Sequence, residues 1–206
     1  KFLNAQGSGT TAAAVSAVLY AAQNGANVMN NSWAGGDYSQ ALADAIGIAD
    51  QHNSLFVAAA GNNGTDNDTT PTYPASYDNP NVLAVAATDG NDNRASFSNV
   101  GRRSVDLGAP GVNIYSTWPG GSYQYLSGTS MATPHVTGAA ALVRAAFPSA
   151  TAVGIKDLML STVAQKPALA STTSSGGRLN VANAVSCNGT PQVWIDCQNI
   201  ERDGQV

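Results

Sequence analysis

Charged, cysteine, histidine and aromatic side chains are all scarce in this chain, and most of these shortages remove a class of function. Charged residues make up 11% of 206 positions and the formal net charge is −4. Without a basic excess there is no electrostatic footprint for nucleic acid. No apolar run approaches the ~20 residues that span a bilayer, so no membrane partner is expected. The two cysteines, Cys187 and Cys197, have no histidine beside them, which excludes a zinc-type ligand cluster there. The chain opens at Lys1 with no initiator Met and no signal-peptide pattern, as a processed, truncated or engineered product would.

What remains is small and apolar. Hydrophobic residues reach 43% and there are 21 glycines. The length allows one sizeable domain with a core, and the frequent apolar runs argue against disorder. The abundance of Gly, Ala, Ser, Thr and Asn reads as a compact, loop-rich, secreted protein. In that setting Cys187 and Cys197 read as one small disulfide loop, worth ~2–3 kcal/mol in the chain-entropy model; two free thiols are the alternative. The character of the sequence changes at Cys187, which divides a domain over residues 1–186 from a tail over 187–206.

The order of elements is legible. Ser8-Gly9-Thr10 offers N-cap residues for an Ala/Val/Leu-rich helix that runs to Gly25. Val28-Met29-Asn30 is a short strand, and residues 38–52 read as a second helix. Leu55 to Ala60 and Val82 to Ala86 are continuous apolar strands, as expected when both faces of a sheet are covered. Residues 88–127 hold short strands and turns. A small-residue helix follows over Val136 to Phe147, then helices near 151–163 and 180–185. Strands alternating with helices predict an α/β fold with a parallel sheet.

Two residues stand where chemistry is feasible. Ser130 lies in Gly128-Thr129-Ser130-Met131-Ala132-Thr133-Pro134-His135, at the end of a glycine turn and the start of a helix. Its hydroxyl has little steric cover, and its N–H is a donor for a developing oxyanion, helped by the helix dipole. An N-cap serine is the plain alternative. Asn62 follows the strand Leu55 to Ala60 directly. Ligands of parallel sheets sit at the carboxyl ends of strands, and an amide there can donate to the same oxyanion. The plain alternative is a turn asparagine in Gly61-Asn62-Asn63-Gly64.

The octapeptide around Ser130 resembles the nucleophile segment of the subtilisin-like serine peptidases, including the proteinase K branch. The resemblance extends from about Lys1 to Val185. It is carried by Val28-Met29-Asn30-Asn31-Ser32 with Gly35-Gly36, by Ala58 to Asn62, and by Arg94 to Asn99. Asp106 with Ala109-Pro110-Gly111, and Ile114 to Thr117, add to it. It implies a three-layer parallel sheet with helices on both faces, incomplete at its N-terminal half. It implies Ser130 as nucleophile and Asn62 as oxyanion-hole donor in peptide-bond hydrolysis through an acyl-enzyme. Ser32, Trp33, Gly35 and Gly36 would edge the substrate cleft by strand addition, and Ala59, Ala60 and Gly61 would wall the pocket before the scissile bond. Trp33, and an extra residue before Gly35-Gly36, depart from the family pattern.

The family also uses an Asp and a His from Asp-Thr/Ser-Gly and His-Gly-Thr-His segments, and neither pattern occurs here. The histidines present, His52 and His135, are not expected to act as general base. The strand at Val28 to Asn30 is therefore expected to present an edge, covered by a separate N-terminal piece, a second copy of the chain, or the tail from Cys187. The resemblance further implies a structural calcium site at Pro80, Val82 and Asp106, with an empty loop as the alternative. Asp66 and Asp68 read as solvated. Asn63, Asn67 and Asn188 head Asn-x-Ser/Thr triplets, which matter only in a eukaryotic secretory setting. Three functions stay open: a peptidase, a weak esterase acting without a full triad, and an inactive fragment acting through binding or assembly. The substrate would be a polypeptide or an ester.

Overall fold

The computed structural model describes residues 2–186. In chain order the elements are α1 (Thr11–Gln23), β1 (Val28–Asn31), α2 (Gln40–Gln51), β2 (Leu55–Ala59), β3 (Val82–Thr88), β4 (Leu107–Pro110), β5 (Ile114–Trp118), β6 (Ser122–Leu126), α3 (Thr129–Ala146), α4 (Ala152–Ser161), β7 (Ala164–Gln165), β8 (Gly177–Arg178) and α5 (Val181–Ser186). Hydroxyl caps open several helices. Thr10, Ser39 and Thr151 accept from the N–H groups of Ala13, Leu42 and Gly154, each satisfying a donor that has no carbonyl inside its helix.

The main sheet runs β1-β2-β3-β4-β8-β7. From β1 to β8 the pairing is parallel; β7 is antiparallel to β8. β5 and β6 form a separate antiparallel hairpin. The sheet is thus mostly parallel rather than wholly so. The three expected layers are present, because successive strand residues point to opposite faces. Phe56, Ala58, Val82 and Ala84 pack with Val18, Ala22, Leu42 and Ile46 of α1 and α2. Leu55, Val57, Leu83 and Val85 pack with Val136, Val143, Ile155 and Leu158 of α3 and α4. Every residue of β2 and β3 is buried, which explains why they are apolar throughout except for Thr88.

Among the described strands β1 pairs with β2 alone, so it is an edge. Two surface expectations change. Asn67 is 2% exposed and its Nδ2 donates to the Ala60 carbonyl, so it offers no acceptor for glycosylation. Asp68 is not merely solvated: it accepts from the N–H groups of Arg103 and Ser104 and from the Ser104 hydroxyl at 2.7 Å. Cys187, Cys197, Asn188 and the tail lie outside the described residues.

Candidate functional site

The first turn of α3 meets the carboxyl ends of β1 and β2. Gly128 caps α3 without a side-chain hydrogen bond, leaving its first N–H groups free of intrahelical partners. Asn62 reaches this turn. Its Oδ1 accepts from the Thr129 N–H at 2.8 Å and from the Thr129 hydroxyl at 3.0 Å. An N–H group can only donate, so this bond fixes which end of the amide is oxygen. The amide nitrogen is therefore turned the other way. A Cβ built on Gly128 would stand 3.6 Å from Asn62 Nδ2 and 3.7 Å from Ser130 N. The notch beside Gly128 thus has both donors on its wall.

The loop that carries Asn62 is organised by Asn99, a fully buried side chain. Its Oδ1 accepts from the N–H groups of Asn63 and Thr65, and its Nδ2 donates to Asn67 Oδ1. Gly61 sits at φ +110°, and a Cβ there would come within 2.5 Å of Asn99 Nδ2. Glycine is the residue that fits both the dihedral and the space. The Thr129 hydroxyl accepts from the Gly61 N–H at 3.3 Å, tying the strand end to the helix start.

Ser130 is half-buried. Its hydroxyl donates to the Ser32 carbonyl at 3.1 Å, and the Ser32 hydroxyl donates to the Ser130 carbonyl at 2.9 Å. Pro134 explains the second bond. A proline four residues on has no N–H for the Ser130 carbonyl, and Ser32 supplies a donor instead. Asn30 Nδ2 donates to Ser32 Oγ at 2.9 Å, and the Thr137 hydroxyl donates to Asn30 Oδ1 at 3.0 Å. The end of β1 is thereby laced to α3.

Neither histidine reaches Ser130. His135 is exposed, and its Nδ1 lies 2.9 Å from the Met131 carbonyl. His52 caps the end of α2, at the amino end of β2, whereas Asn62 lies past the carboxyl end. The five residues of β2 separate the two by about 16 Å.

The remaining site residues are placed as follows. Trp33 packs edge-on against Phe2 with ring centroids 5.1 Å apart. With Gly35 and Gly36 it lines a cavity of about 290 Å³ against residues 2–11. The Gly35 N–H donates to the Tyr73 carbonyl at 2.9 Å. Ala59 and Ala60 are buried, and Ala60 clusters with Ala86 and Val105. Pro80, Val82 and Asp106 meet at the opposite, amino rim of the sheet, with Lys156 between them: its ammonium donates to the Val82 carbonyl and lies 3.6 Å from the Asp106 carboxylate. Burial pushes the Asp106 carboxyl up, against the pull of Lys156 and of the Ala84 N–H. No local signal in the sequence marks Thr129, Pro134 or Lys156 for these roles.

The fold defines a three-layer α/β protein with a serine, an amide and a helix start at the carboxyl rim. Residues 1–184 match the family model of peptidase S8, the subtilase family. The chain is 47% identical over 163 residues to Subtilisin DY of Bacillus licheniformis, covering 79% of this chain and 58% of that protein. It is 43% identical over 186 residues to Subtilisin Savinase of Lederbergia lenta, covering 90% of this chain and 66% of that protein. The crystal structure of a cold adapted subtilisin-like serine proteinase superposes with a TM-score of 0.75 at 39% identity, over 87% of this chain and 63% of that one. This chain belongs to the subtilase family of serine peptidases. It spans about three fifths of the length of these relatives.

Proposed function

We propose that this chain carries the nucleophile and the oxyanion hole of a subtilisin-like peptidase, acting on polypeptide substrates through an acyl-enzyme on Ser130. Asn62 Nδ2 and the Ser130 N–H are the two oxyanion donors. The observation that supports this most directly is the tether of Asn62 Oδ1 to Thr129, which leaves the amide nitrogen facing the notch beside Gly128. Donors fixed in advance stabilise developing charge without reorganising during the reaction. Ser32 to Gly36 edge the cleft for the substrate backbone. Low charge and the presence of two cysteines in the sequence favour a secreted protein.

The general base comes from polypeptide outside the described residues. The Ser130 hydroxyl donates to a carbonyl, which cannot serve as a base at neutral pH. The edge of β1, free among the described strands, suits a partner strand, from an N-terminal segment or a second copy. Gel filtration checks this: a compact monomer with no bound peptide counts against both.

A second reading, hydrolysis of activated esters, is favoured by the same bond. Esters need less leaving-group protonation than amides, so they suffer less from a missing imidazole. The deciding experiment is intact-mass analysis after fluorophosphonate treatment, with Ser130→Ala as control. A stoichiometric adduct lost in the variant supports the site. An adduct that survives the substitution refutes it, as does a folded chain that gives no adduct once joined by the polypeptide that supplies the base. Paired turnover of a p-nitrophenyl ester and a peptide anilide then separates esterase from peptidase.

A further inference from the structure

The amino rim of the sheet holds a cavity of about 200 Å³, lined in part by Tyr77, Pro80, Val82, Asp106 and Lys156. The polar groups around Lys156 are already committed to one another, while the exposed Asp78 lines the outer part of the cavity. Asp106 is 8% exposed. Its Oδ2 accepts from the Ala84 N–H at 2.7 Å and faces Lys156 Nζ, while its Oδ1 accepts from the Ser174 hydroxyl at 3.3 Å. Lys156 Nζ also donates to the Val82 carbonyl. Calcium requires about 6–8 oxygens at roughly 2.3–2.6 Å. A cation in contact with Val82 O and the Asp106 carboxylate would stand where Nζ stands. The donor set does not fit a divalent ion while the lysine is seated.

We propose that Lys156 acts as a built-in cation, pinning the loop over residues 75–82 to the start of β4 in place of a metal ion, and that truncating it uncovers a divalent-cation site at Pro80 O, Val82 O and the Asp106 carboxylate. The chemistry of the exchange is one tethered ammonium for one free ion. The ammonium is covalently part of α4, so its contact with β3 and the segment before β4 does not depend on any solute. A calcium ion in the vacated space would neutralise the same carboxylate and bind the same carbonyl, with water filling its remaining positions. This inference does not rest on the peptidase reading, because the cavity lies at the rim opposite Ser130.

The test uses the full chain as wild type, Asp106→Asn, Lys156→Ala and the double variant. Tyrosine-sensitised terbium emission reports occupancy, since Tyr77 lines the same cavity, and melting with and without calcium reports stability. Wild type should give no terbium signal that Asp106→Asn removes, and no calcium shift in melting that Asp106→Asn removes. Lys156→Ala should gain a saturable signal with half-saturation on the order of 1 mM, at the weak end of the calcium range. The double variant should lose it, and calcium should raise the melting temperature of Lys156→Ala alone. An Asp106-dependent signal in wild type overturns the proposal, as does a folded Lys156→Ala with none. If that variant does not fold, Lys156→Gln keeps the stem and offers calcium an oxygen. Should neither fold in chelator, folding on adding calcium supports the proposal and continued failure overturns it.

Discussion

Adding one methyl group at Gly128 should separate folding from chemistry. The backbone there is extended, at φ 162°, so alanine brings no dihedral strain. The nearest atoms to its Cβ are Asn62 Nδ2 and Met131 Sδ at 3.6 Å and Ser130 N at 3.7 Å. These are ordinary contact distances, so stability should change by less than about 0.5 kcal/mol. An oxyanion needs both donors at roughly 2.7–3.1 Å, and the methyl fills the space between them. Losing one such donor costs about 10²–10³ in rate, so blocking both should cost ~10³ or more, about 4 kcal/mol of transition-state stabilisation. The assay is the rate of fluorophosphonate labelling by intact mass, alongside a thermal melt. Labelling near the parental rate in folded Gly128→Ala would refute the placement of the oxyanion; a large loss of stability would refute the packing argument.

Other substitutions probe separate parts of the structure. Asn62→Asp keeps the acceptor for the Thr129 N–H but replaces the donor with an oxygen. Folding should persist while labelling falls by about 10²–10³ or more, and an unchanged rate would remove Asn62 from the site. Leu83→Ala, at a fully buried position between the layers, should cost about 2–5 kcal/mol in urea unfolding; a loss under about 1 kcal/mol would mean that the core there is not closed. Asp68 is pushed up by burial, but hydrogen bonds from the Ser104 hydroxyl and from backbone N–H groups outweigh this and hold its carboxyl below the usual range. Its contribution to stability is complete above the unfolded value of about 3.9 and is lost as pH falls through the lower, folded value. Asp68→Asn should therefore lower stability at neutral pH and flatten the acid limb of a pH–stability curve. An unaltered limb would contradict the linkage.

Much of the fold is legible because the sheet is covered on both faces. β2 and β3 read directly as Leu55 to Ala60 and Val82 to Ala86, and the cap at Thr10 sets its helix to within a few residues. β7 and β8 are two residues each, too short to carry a period, and they come from the packing of neighbouring elements. At the site, Ser130 and Asn62 stand out because local sequence marks a helix start and a strand end. Their supports do not. Asn99 acts on Asn63 and Thr65 across more than thirty positions, and Lys156 meets Val82 across seventy-four. A helical lysine or a loop asparagine looks like surface until the chain folds over it.

The paired bonds between Ser32 and Ser130 make the resting hydroxyl safe and ready at once. Its proton is parked on a carbonyl that has no use for it, so the serine is held in one rotamer without being activated. A base that arrives need only compete for one neutral hydrogen bond, a contest of about 1 kcal/mol. The Ser32 hydroxyl meanwhile keeps its own grip on the helix carbonyl. On the proposed role of Ser130, arming it is then a transfer of a single hydrogen bond rather than a rebuilding of the helix start, and it is as easily reversed when the base departs.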